Sequence, residues 1–414
     1  MSTNAMNYIQ LALIFANGFL ISRIFIKCGT AERIVFYFIK KSKGHSSRII
    51  YYVIYTAAIL SMFIPNVITV LALLPIINIL VADLKSFTQT DHESNTAFAM
   101  SNLYGANIGG TGSINGSASN AVLIGFLHLK SIPEVAKIDF ITWIIWGFPF
   151  ILVFCLVAGF AITRFLLPRE LRKSTVNFSF INEERKRYPH EQFGVTISVV
   201  SFVFWLIVSS INMINKNLIM PYTTVFSLAF MLLLLYSIFI LKMQDKYFKI
   251  KSRVLVIQDF FTDLPVKGFL IAGITIAASV ILIYCKIDRQ IVPLVNAILP
   301  PSASAFFIMF ILCAICIYLS EFISNTTAAI SLSLISLPIC EATGINPFYI
   351  LFGISLVSTV TFMSPVANAV NALAYGGVKY VSLKKMVRLG VFMDLVAVIL
   401  VSLLATYILP LIYR

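Results

Sequence analysis

Long apolar runs separated by short polar or basic connections set the pattern of this chain. Runs of about 20 apolar residues, enough to cross the hydrocarbon core of a bilayer as a helix, fall at 7–27, 139–167, 193–212, 218–241, 268–286 and 387–410. Each predicts a membrane span. The first lacks a basic leader and a small-residue cleavage site, so it reads as a span and not as a removable signal.

Four further apolar stretches break where a span should continue. Residues 49–82 hold no charge, but Pro65-Asn66 splits them into halves of about 15 residues, each too short to cross. Ser324-Asn325-Thr326 splits residues 304–340 in the same way. Both stretches predict re-entrant hairpins. Residues 98–128 are interrupted by Gly109-Gly110-Thr111-Gly112 and Asn115-Gly116-Ser117, and residues 347–378 by Ser364-Pro365. Both predict a span with an unwound middle. Irregular backbone survives at membrane depth only where protein or a watery cavity satisfies its N–H and C=O groups, so four breaks point to a buried site.

The breaks repeat. Ile64-Pro65-Asn66-Val67 corresponds to Ile323-Ser324-Asn325-Thr326, 259 residues further on. Ser113–Gly125 lies over Ser364–Gly376 without gaps, 251 residues on, matching Ser113 with Ser364, Asn120 with Asn371, Ala121 with Ala372 and Gly125 with Gly376. Three spans within 193–286 place the second hairpin on the opposite side from the first. The expected fold is an all-α polytopic membrane protein of two inverted-topology repeats, each with a re-entrant hairpin and a broken transmembrane helix. Residues 1–192 make the first repeat: hairpin 49–82, broken helix 98–128, span 139–167 and a basic connection 168–192. Residues 193–414 make the second: spans 193–286, hairpin 304–340, broken helix 347–378 and last span 387–410.

Composition removes the alternatives. Of 414 residues, 59% are hydrophobic and 12% charged, about half the charge of a soluble domain, and mean hydropathy is +0.93. The net charge of +14 raises nucleic acid as a partner, but 22 of the 31 basic residues sit in the connections 27–48, 169–187, 242–267 and 379–388. That is a positive-inside pattern. It places these connections in the cytoplasm and the chain in the plasma (inner) membrane, with the lipid bilayer and not nucleic acid as partner. Cys313 and Cys316 have metal or redox spacing but no second ligand pair nearby, and His45, His92, His128 and His190 are scattered. No metal set is visible beyond oxygen ligands. The glycines at 109–112 follow no strand and precede no Lys-Ser/Thr, so they are not a phosphate loop.

At the breaks the chain resembles the divalent anion–sodium symporters of the ion transporter superfamily, which carry dicarboxylates, citrate, sulfate or phosphate. The resemblance rests on Ser320–Thr326 (SEFISNT), Ala106–Gly112 (ANIGGTG) and Phe362–Asn368 (FMSPVAN), and covers about residues 50–128 and 300–380. Two features depart from the family. The first tip reads Pro65-Asn66-Val67 without the Ser and Thr, a form equally similar to arsenite pumps and sodium/proton antiporters. Also, 65 residues precede Asn66 while 132 run from 193 to 324 ahead of Asn325, so the first repeat is short of about two helices of the family's dimer scaffold. The resemblance implies an elevator motion, sodium as coupling ion, no other cofactor, and a homodimer as a candidate assembly.

It also implies site residues. One sodium site draws on Ser61, Asn66 and the backbone at Gly116, the other on Ser320, Asn325 and the backbone at Ala367. The small anionic substrate sits between them against Asn66, Ser117, Ser324, Asn325, Thr326 and Asn368. The residue types fit: hard oxygen ligands suit an alkali cation, and helix N-termini suit an anion. Residues 49–82, 98–127 and 347–378 carry no charged side chain, and residues 290–340 carry only Glu321. Helix dipoles contribute about 1–2 kcal/mol each at best, too little to hold a dianion out of water, so bound cations must supply the positive charge. Glu321 is the candidate for proton coupling, weighed against a structural role in bonding hairpin backbone. The expected function is secondary active transport, a sodium-coupled symport of divalent anions. An antiporter or arsenite-type exporter is the alternative and a channel the third reading; no paired nucleophile and base suggests an enzyme.

Overall fold

The computed structural model describes residues 3–85, 91–173, 188–214, 216–245, 247–261 and 304–413. In chain order the first half contains α1 (Thr3–Lys27), α2 (Thr30–Lys41), α3 (Ser46–Ser61), α4 (Asn66–Lys85), α5 (Asp91–Gly109), α6 (Ala118–Leu129), α7 (Phe140–Phe165) and the short α8 (Arg169–Lys173). Then come α9 (Glu191–Ile214), α10 (Lys216–Phe239), a two-residue ribbon β1 (Met243–Gln244) and β2 (Lys251–Ser252), and α11 (Gln258–Phe261). The last part holds α12 (Ala305–Ser320), α13 (Asn325–Thr343), α14 (Pro347–Thr359), α15 (Ala369–Gly376), α16 (Leu383–Leu403) and α17 (Leu409–Ile412), the last two joined by a π-helical turn. Seven helical segments among the described residues are long and apolar enough to cross a membrane. The protein is an all-α polytopic membrane protein.

Local chemistry sets the ends. Asp139 and Thr142 form a capping box ahead of α7, and Ser304, Asn346 and Ser382 cap α12, α14 and α16 with their side chains; each cap satisfies an N–H that lipid could not. All four expected breaks are present, at 62–65, 110–117, 321–324 and 360–368. Pro65 precedes α4 and has no N–H to continue α3. Ser117 caps α6 and Asn368 caps α15, with each side chain accepting a backbone N–H, at positions 251 residues apart.

One expectation is corrected. The segments after the tips are longer than about 15 residues: α4 has 20 and α13 has 19, each enough to cross on its own by length. They overrun the expected ends because polar residues close to the membrane edge still propagate a helix, and α13 stops only at Gly344, whose φ of +69° ends it in a left-handed cap. Most of the connection 27–48 is α2, amphipathic, with Phe36 buried and Tyr37, Lys40 and Lys41 exposed, and with Arg33 paired to Glu191 at 3.5 Å. The expected span at 268–286, the basic residues at 185–187 and Lys246 and Lys267 lie outside the described residues.

The core is centred on α5 and α14. Residues 94–114 are buried throughout, as are Phe348 and residues 350–362, the pattern of helices surrounded by protein on every side. Gly109 lets α3 reach α5: a Cβ there would strike the Ala58 carbonyl. Around α14, Trp143, Trp146, Phe348, Phe352 and Tyr413 pack ring on ring, and Trp146 Nε1 donates to Tyr413 Oη at 3.1 Å. Helices α9 and α10 instead present Val199, Val203, Ile207, Leu218, Val225 and Leu232 outward, a face suited to lipid tails. They are tied to α1 by a closed polar set. Gln10 Nε2 donates to Thr223 and Thr224 at 3.0 Å, Asn212 Nδ2 donates to Gln10 Oε1 at 2.8 Å, and Thr223 Oγ1 donates to Asn212 Oδ1 at 2.7 Å. Such bonds hold helices together where no hydrophobic effect acts between them.

Candidate functional site

The four breaks leave eight helix ends, and amide, hydroxyl and carboxylate side chains link them. At the first tip, Ser61 Oγ donates to Asn66 Oδ1 at 2.6 Å, joining the end of α3 to the start of α4. Asn66 Nδ2 reaches Asn107 Oδ1 near the end of α5 at 3.5 Å. Asn107 is fully buried and crosses to the other half, donating to the Thr361 carbonyl at 2.8 Å and to Asn371 Oδ1 at 3.1 Å. Asn368, the cap of α15, donates to Thr361 Oγ1 at 2.9 Å and reaches Asn325 Oδ1, at the start of α13, at 3.5 Å. Ser117, the cap of α6, shares a 2.9 Å hydrogen bond with Thr359 at the end of α14. Glu321, just past α12, accepts from the backbone of the segment 360–368 at Phe362, Met363 and Ser364, at 2.8, 2.9 and 2.6 Å.

The unwound segments are closed by one device used twice. Asn120 Nδ2 donates to the carbonyls of Gly110 and Ser113 at 2.9 and 2.8 Å. Asn371 Nδ2 donates to those of Thr361 and Ser364 at 3.4 and 2.8 Å. All three partners differ by 251 residues, the spacing of the sequence alignment. These amides pull each unwound segment back on its following helix and satisfy carbonyls that a helix would have paired.

The first expected cation set is brought together. Ser61 and Asn66 are bonded, a Cβ on Gly110 would strike the Asn66 amide, and one on Gly116 would strike the Gly110 carbonyl. Glycine at 116 allows the close approach of the Gly110 backbone. Of the second set, Asn325 meets the substrate candidate Asn368 at 3.5 Å, and Ala367, the residue before Asn368, is buried in the unwound segment. Ser320 differs from its counterpart Ser61: its hydroxyl donates back to the Cys316 carbonyl at 2.8 Å. Ser324 is exposed and makes no side-chain cap bond, and Thr326 is half-buried. Cys316 donates to the Ile354 carbonyl, a packing role.

Asn107, Asn120, Thr361, Asn371 and Asp394 were not among the candidates. Asn120 and Asn371 carried a signal as matched residues of the repeat, and Asp394 as a lone acid in an apolar span. Nothing along the chain identifies Asn107 as the bridge. A family model described as citrate transporter matches residues 3–258, more than half of the chain. The chain belongs to the citrate transporter family. This transporter is 25% identical to an uncharacterized transporter of Haemophilus influenzae over 87% of its own length and 73% of that protein. It is 19% identical to the sodium-dependent dicarboxylate transporter SdcS of Staphylococcus saprophyticus, over 97% of itself and 77% of the relative. With human Na(+)/dicarboxylate cotransporter 3 the identity is 24%, and the match spans about half of that longer protein (54%) and 74% of this chain. These findings agree with the resemblance to divalent anion–sodium symporters read from the breaks.

Proposed function

We propose that the protein is a secondary active transporter that couples sodium entry to uptake of a small dicarboxylate. One sodium is held by Ser61, Asn66 and the backbone at Gly116, another by Ser320, Asn325 and the backbone at Ala367. The substrate lies between them on Asn66, Ser117, Ser324, Asn325, Thr326 and Asn368. The two halves act as inverted repeats with re-entrant hairpins, moving as an elevator in the plasma membrane with the basic connections cytoplasmic, and a homodimer supplies the scaffold.

One observation carries this reading: the helix ends at the four breaks are linked by amides, hydroxyls and the Glu321 carboxylate, with no Lys or Arg in any of the linking segments. Helix C-termini present carbonyls to cations, and N-termini present N–H groups to an anion. The recurrence of the asparagine bonds at a 251-residue offset supports two equivalent halves, and the sodium and dicarboxylate in the relatives' names support the ligands. The test is uptake of labelled succinate, citrate, sulfate and phosphate by proteoliposomes. An inward sodium gradient is expected to raise succinate uptake at least tenfold over a gradient-free control. Equal uptake with and without sodium counts against the symport, exchange driven only by an internal anion or proton favours the antiporter, and currents above carrier turnover favour a channel.

A further inference from the structure

One end of the helix bundle carries a basic, aromatic cleft that neither the sodium nor the substrate assignment uses. Helix α1 ends there at Lys27, α9 starts there at Glu191 and α10 ends there at Phe239. Close contacts hold these ends together. A Cβ on Gly194 would strike Thr30 Oγ1 and the Cys28 side chain, and the Leu255 N–H donates to the Ile238 carbonyl at 3.2 Å. Helix α2 and the ribbon β1–β2 flank that end, and between them lies a cleft of about 910 Å³.

Local sequence sets the character of both walls. In α2, Phe36 is buried and Phe38 stacks on Tyr52 of α3 at 6.2 Å, while Tyr37, Lys40 and Lys41 are exposed. Lys40 Nζ lies 4.8 Å over the Phe36 ring and Lys41 Nζ 4.6 Å over that of Tyr37, so apolar stems cover rings while the ammonium groups stay accessible. Arg33 and Lys40 lie two helical turns apart, on one face of α2, and both line the cleft. The turn of the ribbon is built by Asp245. Its Oδ1 accepts the N–H groups of Tyr247 and Phe248 at 2.8 Å, and its Oδ2 accepts that of His190 at 2.6 Å. That turn leaves Tyr247, Phe248 and Ile250 exposed, with Lys249 and Lys251 among them.

This mixture fits one environment. Clustered exposed rings are unfavourable in water, and lysines are costly in hydrocarbon. The headgroup layer suits both, because an aromatic ring and a lysine stem lie against acyl chains while the polar tips meet phosphates. The positive charge is also in surplus. Glu191 pairs with Arg33 through Nε, one of a guanidinium's five donors, and Asp245 gives both oxygens to backbone N–H groups. Among the described residues Lys40, Lys41, Lys249 and Lys251 have no acid within ion-pair distance. A soluble acidic partner would meet these charges but leave the rings in water.

We propose that this cleft binds one anionic phospholipid from the leaflet on its side of the membrane. The phosphate lies between Arg33 and Lys40, and the glycerol and upper acyl chains pass along Tyr37, Phe193 and Phe248. The ribbon tip rests among neighbouring headgroups. A zwitterionic lipid brings the same phosphate with a cation attached, which Arg33 and Lys40 repel, so the cleft selects net negative charge. Each lysine or arginine close to an anionic surface adds roughly fivefold in affinity. The bound lipid bridges α2 to the ribbon and so ties the ends of α1, α9 and α10 to the bilayer surface.

Native mass spectrometry of the full chain in detergent, titrated with dioleoyl phosphatidylglycerol or dioleoyl phosphatidylcholine, tests the site. No uptake is measured, so the result is independent of the transport reading. One phosphatidylglycerol per chain is expected to stay bound at a lipid concentration at least tenfold below that needed for phosphatidylcholine. Lys40→Gln should weaken its retention at least threefold, and Arg33→Gln with Lys40→Gln at least tenfold. Lys40→Gln leaves the Arg33–Glu191 pair intact and should melt with the wild type, so it decides alone if the double variant fails to assemble. Lys384→Gln with Arg388→Gln removes the same charge from two exposed residues of α16 and should leave retention unchanged. Equal retention of the two lipids, wild-type retention in Lys40→Gln, or the same loss in the α16 variant overturns the proposal. Displacement of the lipid by millimolar glycerol phosphate also overturns it, because the cleft would then be a site for a free phosphate.

Discussion

Replacing Asn107 with alanine is expected to cut sodium-driven succinate uptake by roughly 10–100-fold while leaving the helices assembled. The Asn107 side chain makes two bonds to the other half, to the Thr361 carbonyl and to Asn371 Oδ1, and accepts from Asn66. Interhelical bonds of this kind are worth about 1–2 kcal/mol each in a membrane protein, and about 1.4 kcal/mol is a tenfold change. Losing two of them separates the proposed first sodium set from the second unwound segment and frees the Asn66 amide to turn away from Ser61. Asn107→Asp keeps the shape but loses both donors, and it should fail as badly. Initial uptake rates normalised to protein in the liposomes check both; a wild-type rate in the alanine variant counts against Asn107 as the bridge.

Gly109→Val is expected to have the largest effect on stability. The new Cβ would meet the carbonyl and Cα of Ala58, backbone atoms that cannot rotate away, so α3 and α5 must part along a fully buried seam. Overpacking of this kind costs about 1–3 kcal/mol and sometimes more, and it moves Ser61 at the end of α3. The measurement is thermal unfolding in detergent beside Gly125→Ala. Gly125 is exposed on α6 and a Cβ there meets nothing within 4 Å, so that variant should melt at the wild-type temperature or slightly above it. Equal melting of both variants contradicts the close α3–α5 contact.

The breaks were legible because Gly, Pro, Asn and Ser at membrane depth have few structural meanings. Among the described residues, the limits of the expected spans fell within a few residues of the helices because charge ends a span. Helix α2 was hidden because its basic residues identify a connection more loudly than its apolar face identifies a helix. The lengths of α4 and α13 were missed because a break identifies where a helix starts, not where it ends. Partner choice was the least legible. That Asn107 reaches Asn371, or that Glu321 and Asp394 accept the same Phe362 N–H, joins residues from different elements and leaves no periodicity along the chain. Ser320 shows the converse, since its match to Ser61 is plain in the repeat, yet its hydroxyl turns back to Cys316.

In the proposed transport cycle, bound cations supply the positive charge which the site's own side chains lack. Calorimetric titration of succinate into the purified protein, at one fixed pH and ionic strength, tests it with sodium and then with choline in its place. Affinity is expected to fall at least a hundredfold in choline, because dipoles worth about 1–2 kcal/mol each cannot replace two cations beside a desolvated dianion. Equal affinity in the two salts would contradict it.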